Sequence, residues 1–459
     1  MQRIRRPPRV LTSVLIAIAV VAALAPTGRA TAANPQWDEW DFLNLINGER
    51  YERGLTPLAM APGARDVARS WSGVMAASDD LHHNPSFSSQ LAQRFPTWRR
   101  AGENVGVGGG VAQLHQAFMN SPKHRDNILG QWQWAGVGVR WDNGTLWVTV
   151  NFLSTTSAIP WETRTPVTRL VGVSDADSSV LVSRRLPAGS AAGVVVARSD
   201  QFADALAGAP LASVHRGSLL LVPPSGVPSN VSGEIQRVLA LGGRIMILGG
   251  ANAVGPGPEA TLRGLGFPTE RIAGADRFGT AAAIAPRVNT RPSRAFIVSG
   301  ESFPDATSTA AVASAQRAPI LLVGPKAVPA ATTAWLAANP TAERVVVGGP
   351  AAVAEAVSTA VRAARRVHGP DRYATSVNLA NTYLPSASSV VLAPGSSFAD
   401  ALVAGPEAAR LGAPLILTAA SPNSWTYGYV GTQNRRWTSA ITVGSVDSIS
   451  DSTVALLFS

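Results

Sequence analysis

A block written three times in the C-terminal two-thirds of the chain restricts its fold more than any other feature. Val194-Val195-Val196-Ala197-Arg198 leads to Phe202-Ala203-Asp204-Ala205, Ala295-Phe296-Ile297-Val298-Ser299 to Phe303-Pro304-Asp305-Ala306, and Val390-Val391-Leu392-Ala393 to Phe398-Ala399-Asp400-Ala401. The Phe-x-Asp-Ala anchors stand 101 and 95 residues apart. Recurrence at a nearly constant spacing means one structural unit used repeatedly. Each copy continues with a small-residue helix and a short apolar strand: Leu219 to Val222, Ile320 to Val323, and Leu415 to Leu417. A second helix follows, then a strand ending in glycine at Gly249-Gly250, Gly348-Gly349 or Gly444-Ser445. Continuous apolar strands alternating with helices predict a parallel sheet covered on both faces. The expected fold class is therefore α/β overall, with three tandem Rossmann-like parallel-sheet repeats.

Upstream the pattern is different. Val67, Trp71, Val74 and Met75 lie at i, i+4, i+7 and i+8, predicting one buried stripe of an amphipathic helix. Gly136-Val137-Gly138-Val139 and Leu146 to Phe152 predict paired strands, with Asp142-Asn143-Gly144 as their turn. This segment reads as an α+β sandwich. Two prolines among polar residues between Ser157 and Thr168 mark a linker.

The first 32 residues carry five arginines and no acid, an apolar run from Val10 to Leu24, and Ala30-Thr31-Ala32 at the end. That is the pattern of a secretory signal, with cleavage expected after Ala32 or Ala33. No later run of about 20 apolar residues offers a membrane span. The chain contains no cysteine, so disulfides, thiolate chemistry and cysteine metal sites are excluded. Stability must come from burial. Residues 33–157 carry 10 basic and 11 acidic side chains, whereas residues 158–459 carry 24 and 18. A moderately basic surface outside a cell favours an anionic polymer over nucleic acid as partner.

Three linked motifs lie in the upstream segment: Leu81-His82-His83-Asn84-Pro85, Gly102-Glu103-Asn104-Val105, and Ser121-Pro122-Lys123-His124 through Asn127. With Leu45 to Arg50 and Trp147 to Phe152, they resemble the bacterial branch of the CAP (SCP) superfamily over residues 37 to 155. The resemblance implies an α-β-α sandwich. In its cleft His83, Glu103 and His124 would meet and, as in some members, hold a divalent metal such as zinc. A second acid of animal and plant members is replaced by Ser121. Two imidazoles and a carboxylate could fill three tetrahedral positions and leave one for water, so a metal-dependent hydrolase acting on peptide or peptidoglycan is the alternative to a non-catalytic cleft held by hydrogen bonds. His115, His215 and His368 lack ligand-spaced partners and are expected at the surface or at helix ends. Gly106 to Gly110 follows no predicted strand and is not read as a phosphate loop.

Downstream, Arg271-Ile272-Ala273-Gly274-Ala275-Asp276-Arg277-Phe278 returns as Arg366-Val367-His368-Gly369-Pro370-Asp371-Arg372-Tyr373. These opening segments, with Phe-x-Asp-Ala and Gly-Gly, resemble the cell wall binding repeat 2 family from about 169 to the end. The resemblance implies noncovalent attachment to anionic wall polymers, and hence a secreted protein of the cell wall or surface. Arg271, Arg277, Arg366 and Arg372 are the polymer-binding candidates, because guanidinium forks suit phosphate and carboxylate. The competing reading is that Arg277 and Arg372 pair with neighbouring aspartates and lock one copy onto the next. Asp204, Asp305 and Asp400 precede Ala-rich helices and are expected as N-caps. The opening segment of the first copy, Arg169 to Asp175, lacks the Asp-Arg pair. The expected organisation is a signal at 1–32, a CAP unit at 37–155, a linker at 156–168, and repeats at 169–270 (degenerate), 271–365 and 366–459.

Overall fold

The computed structural model describes residues 34–459, so the signal expected at 1–32 lies outside the described residues. The described residues divide into two compact units, residues 34–165 with 451–459, and residues 166–450.

In the first unit α1 (Pro35–Glu52), β1 (Ala59–Met60), α2 (Pro62–Ser78), α3 (Phe87–Arg94), β2 (Trp98–Gly108), α4 (Val111–Asn120), α5 (Pro122–Ile128), β3 (Trp134–Asp142) and β4 (Thr145–Thr155) follow in order. The sheet order is β1-β3-β4-β2. β3 and β4 are antiparallel and joined by Asn143-Gly144, both at positive φ, the backbone that a two-residue primed turn demands. The α2 backbone lies directly on β3, where a Cβ at Gly136 or Gly138 would strike the main chain of Ala64 or Arg69. Of the predicted α2 stripe, Val67 and Met75 are buried, but Val74 is 44 % exposed. Trp71 is half-buried, and the buried face runs through Ala64, Val67, Ala68, Ser72, Met75 and Ala76, so the i+7 position has turned past the sheet. The helix Asp451–Phe458 belongs to this unit and buries Val454, Leu456 and Phe458.

The glycine run at 106–110 differs from its expectation, because β2 extends through Gly108 and α4 begins at Val111. Its glycines serve packing: a Cβ at Gly106 or Gly108 would press on Phe118 or Leu114, and the Gly109 N–H is taken by the Gln113 side-chain carbonyl.

The second unit repeats a strand-helix alternation three times. The first copy contains β5 (Val167–Leu170), α6 (Asp175–Ser183), β6 (Ala191–Arg198), α7 (Gly208–Val214), β7 (Leu219–Val222), α8 (Ser229–Val238), β8 (Leu239–Leu248) and α9 (Pro256–Arg263). The second contains β9 (Thr269–Ile272), α10 (Arg277–Val288), β10 (Arg294–Ser299), α11 (Pro304–Ala315), β11 (Ile320–Val323), α12 (Ala330–Ala338), β12 (Glu343–Val347) and α13 (Glu355–Ala360). The third contains β13 (Arg365–Val367), α14 (Arg372–Tyr383), β14 (Ser389–Pro394), α15 (Phe398–Arg410), β15 (Leu415–Thr418) and β16 (Ser439–Val443).

All three sheets are parallel, in the orders β7-β6-β8-β9, β11-β10-β12-β13 and β15-β14-β16-β5. The first two sheets therefore each take their last strand from the opening segment of the next copy. The opening strand of the first copy, β5, closes the ring by pairing with β16 of the third. The three Ala-rich helices α7, α11 and α15 pack together at the centre. They approach at Ala209, Ala310 and Gly405, where a Cβ on Gly405 would crowd the other two. Small side chains at equivalent positions are what let three helices share one axis. One apolar cluster runs through all three copies, from Val195 and Leu211 through Phe296 and Val312 to Val391 and Leu402.

Candidate functional site: the His83–Glu103 cleft and the ring of repeat junctions

In the first unit, β2 carries Glu103 and Asn104, the loop after α2 carries His83 and Asn84, and α5 carries His124. One Glu103 carboxylate oxygen meets His83 Nδ1 at 2.9 Å and accepts the Asn84 backbone N–H at 3.0 Å. The other, Oε2, is buried without a hydrogen-bond partner, as is Nδ1 of His124. Asn104 Nδ2 donates to the His124 carbonyl at 2.9 Å, and Asn127 donates to Asn104 Oδ1 at 2.8 Å and to the Glu103 carbonyl at 3.2 Å. The Gly-Glu-Asn motif is thus a strap that fixes α5 against β2. Gly102 is needed there because a Cβ would crowd Asn127 and Trp132.

The His124 ring lies against Phe118, with centroids 4.8 Å apart. Burial, with a smaller push from His83, lowers the His124 pKa below the usual imidazole value. Ser121 sits between α4 and α5 and contributes no carboxylate. The residues do not fit a resident zinc. Among the described residues no three His, Asp or Glu side chains are grouped to hold a metal ion, and His83 and Glu103 turn the atoms they share toward each other.

His115 corrects its expectation. It is buried inside α4, edge-on to Phe42 at 5.9 Å, with Nε2 unpartnered, because it occupies an apolar helix position that sequence spacing does not reveal. His215 ends α7 and His368 is exposed, as expected. Asn47 and Arg50, in the opening motif of this unit, carry roles that motif reading missed. Asn47 bonds both main-chain groups of Leu58, and buried Arg50 donates to the carbonyls of Thr56, Ile128 and Gly130.

In the second unit the three opening segments share one turn. The N–H groups of Gly172, Gly274 and Gly369 donate to the hydroxyls of Ser178, Thr280 and Thr375, while Ser174, Asp276 and Asp371 cap the following helices. The first copy keeps this backbone with Ser174 in place of Asp. What it lacks is the next pair: Arg277-Phe278 and Arg372-Tyr373 correspond to Asp175-Ala176.

Arg277 donates to the Gly300 carbonyl and stacks over Phe202 of the preceding copy at 6.0 Å. Arg372 donates to the Gly395 carbonyl and stacks over Phe303 at 5.8 Å. Phe202, Phe303 and Phe398 in turn meet one another at 5.7–6.1 Å between centroids. Arg271 spends its donors on the carbonyls of Gly249, Gly250 and Val254 and on Glu259, and Arg366 on those of Gly348 and Val353 and on Glu355. All four arginines are engaged within the unit, and Arg277 and Arg372 join one copy to the next.

The expected N-caps are also corrected. Asp305 and Asp400 lie inside the first helical turn, behind Phe303 and Ser397 as caps, and Asp204 precedes α7, whose cap is Ala207. The carboxylates of Asp204 and Asp305 instead abut Gly249 and Gly348, which explains why those strands end in glycine. Nothing crowds the second glycine of the pair closely, so Ser445 costs the third copy nothing there. Burial raises the Asp305 pKa, against the pull of Arg372 and His368. Burial also raises that of Asp400, where Ser397 opposes the shift and Asp175 adds to it.

Residues 169–258, 271–358 and 366–454 match the model of cell wall binding domain 2 (CWB2). The chain belongs to that family. Residues 43–152 match the cysteine-rich secretory protein family, the CAP domain. A CAP domain followed by three CWB2 copies is the make-up of a cell-wall-associated protein. Over 252 residues the chain is 27% identical to N-acetylmuramoyl-L-alanine amidase LytC of Bacillus subtilis (strain 168), covering 55% of this chain and 50% of that protein. Over 210 residues it is 25% identical to the amidase enhancer of the same strain, covering 46% of this chain and 29% of that one. The chain thus spans half or less of those relatives. Among solved structures, Cwp8 from Clostridium difficile superposes with TM-score 0.59 at 29% identity, over 65% of this chain and 51% of that one. Cwp6 from the same organism superposes with TM-score 0.59 at 23% identity, over 67% and 50%. No helix among the described residues is long and apolar enough to cross a membrane.

Proposed function

We propose that this chain is exported, that its CWB2 copies hold it noncovalently on anionic wall polymer, and that it thereby displays the CAP domain at the cell surface. The observation that carries the reading is the closure of three copies into one unit through β5 and β16. Three weak contacts presented together retain a polymer through effective concentration, since release of one segment leaves the others engaged. The excess of basic side chains in residues 158–459 supports an anionic partner. Arg271, Arg277, Arg366 and Arg372, whose donors are also engaged inside the unit, stay candidates for the polymer contact beside the other basic groups. In the CAP cleft, the His83–Glu103 pair with one unpartnered oxygen supports ligand binding. The rival reading as a metal-dependent hydrolase draws on no grouped ligand set and is not adopted.

The test is co-sedimentation of the purified chain with isolated walls, before and after their anionic polymers are removed, across a salt series. The reading expects binding that falls with salt and disappears with the polymer. Equal binding to stripped walls would overturn it.

A further inference from the structure

The ends of α7, α11 and α15 remote from the three phenylalanines enclose a cavity of about 500 Å³, within the size range of small-ligand sites. Val214, Val403 and Pro406 give it an apolar wall. Three arginines, Arg216, Arg317 and Arg410, line it against one carboxylate, Glu407. That carboxylate is already committed, because Glu407 is 3 % exposed and bonded by both Arg185 and Arg410. Arg216 and Arg317 are exposed and form no ion pair among the described residues.

One further observation marks the cavity as a site. Arg216 and Arg317 occupy equivalent positions just past their helices with φ of 51° and 49°, where the third copy has Gly412 at 61°. Glycine is the residue that suits this backbone, and a long side chain there is uncommon. Two copies therefore place a guanidinium at the cavity where backbone sterics favour glycine.

We propose that this cavity binds one carboxylate- or phosphate-bearing saccharide unit. Its ring lies on the apolar wall and its acid group on Arg216 and Arg317. Such a site rests on the anionic-polymer reading above and gives it a specific subsite, away from Arg271, Arg277, Arg366 and Arg372.

The purified chain is titrated with glucuronate, glucose 1-phosphate and glucose, followed by ligand-observed NMR. Binding of one or both anionic sugars in preference to glucose is expected, and the two arms tell a carboxylate polymer from a phosphate one. The double variant Arg216→Gly and Arg317→Gly relieves the left-handed backbone, so it folds at least as well while losing both charges. It is expected to weaken anionic-sugar binding at least tenfold. Unchanged binding in the double variant, or no preference of the wild type over glucose, overturns the site. Wall co-sedimentation of the same proteins is read separately: failure of the wild type to sediment sinks the polymer reading, whereas the titration alone decides the cavity.

Discussion

Arg372 holds its guanidinium carbon 5.8 Å from the ring centroid of Phe303 while donating to the carbonyl of Gly395, so one side chain at the start of α14 fastens the third copy to the core of the second. The equivalent Arg277 does the same one copy earlier. A stacked cation and a charge-assisted hydrogen bond together contribute on the order of 2–3 kcal/mol. Arg372→Ala is expected to lose about that much unfolding free energy in urea, and Arg372→Lys about half, because an ammonium keeps charge without the planar stack. A wild-type midpoint for Arg372→Ala would refute the role.

The third junction lacks this fastener and sets Asp175 near Asp400, whose pKa is raised by burial and further by Asp175. The folded state therefore holds a proton more tightly than the unfolded chain. Its stabilising share is complete below the unfolded carboxyl value and is lost as pH rises through the raised folded value. Asp175→Asn should flatten this acid-side slope in thermal melts from about pH 4 to 7, the range that spans an ordinary and a raised carboxyl. An unaltered slope would mean that the two carboxyls do not interact.

His115 and His124 act with the opposite sign. Burial lowers both, with Glu49 opposing the shift at His115 and His83 adding to it at His124. Each contributes stability above the unfolded imidazole value, and that share is lost as pH falls through the lowered folded value. His115→Leu also removes an orphaned buried nitrogen, and it is expected to reduce the acid sensitivity of the CAP domain below about pH 6.5. The check is near-ultraviolet circular dichroism through an acid titration, which must differ between variant and wild type.

Buried Arg50 donates to three carbonyls at once, a buried one at Ile128 and half-buried ones at Thr56 and Gly130. Arg50→Ala would leave the Ile128 carbonyl unpaired and empty the space of a buried side chain, at a cost of about 2–3 kcal/mol. Loss of the folded CAP domain at temperatures the wild type tolerates, read by differential scanning calorimetry, is the expected outcome.

Much of this was legible because it is local. The three Phe-x-Asp-Ala blocks, the apolar strands and the Asn143-Gly144 turn are patterns within a few residues, and backbone sterics turn them into the same structure in each copy. The cleft pair was legible too, since His83 and Glu103 stand in separate motifs that the sheet brings to 2.9 Å. His115 was not, because nothing in its neighbours distinguishes a buried ring from an exposed one. Nor was the cavity, whose arginines lie outside every motif. A signal did exist at Arg216 and Arg317, which sit where the third copy has Gly412.

The sequence by itself determined how many copies there are, what alternation each must adopt, and that burial without disulfides must hold them. Only the tertiary structure decided that β5 pairs with β16, at the far end of the repeats, and that Arg277 and Arg372 face inward to Phe202 and Phe303. Strand propensity and periodicity fix a segment's shape, but a partner strand is chosen by which open sheet edge remains when all the layers have packed. Likewise, an arginine's charge is written in the sequence. Whether it meets a ring, a carbonyl or solvent is settled by the packing that surrounds it.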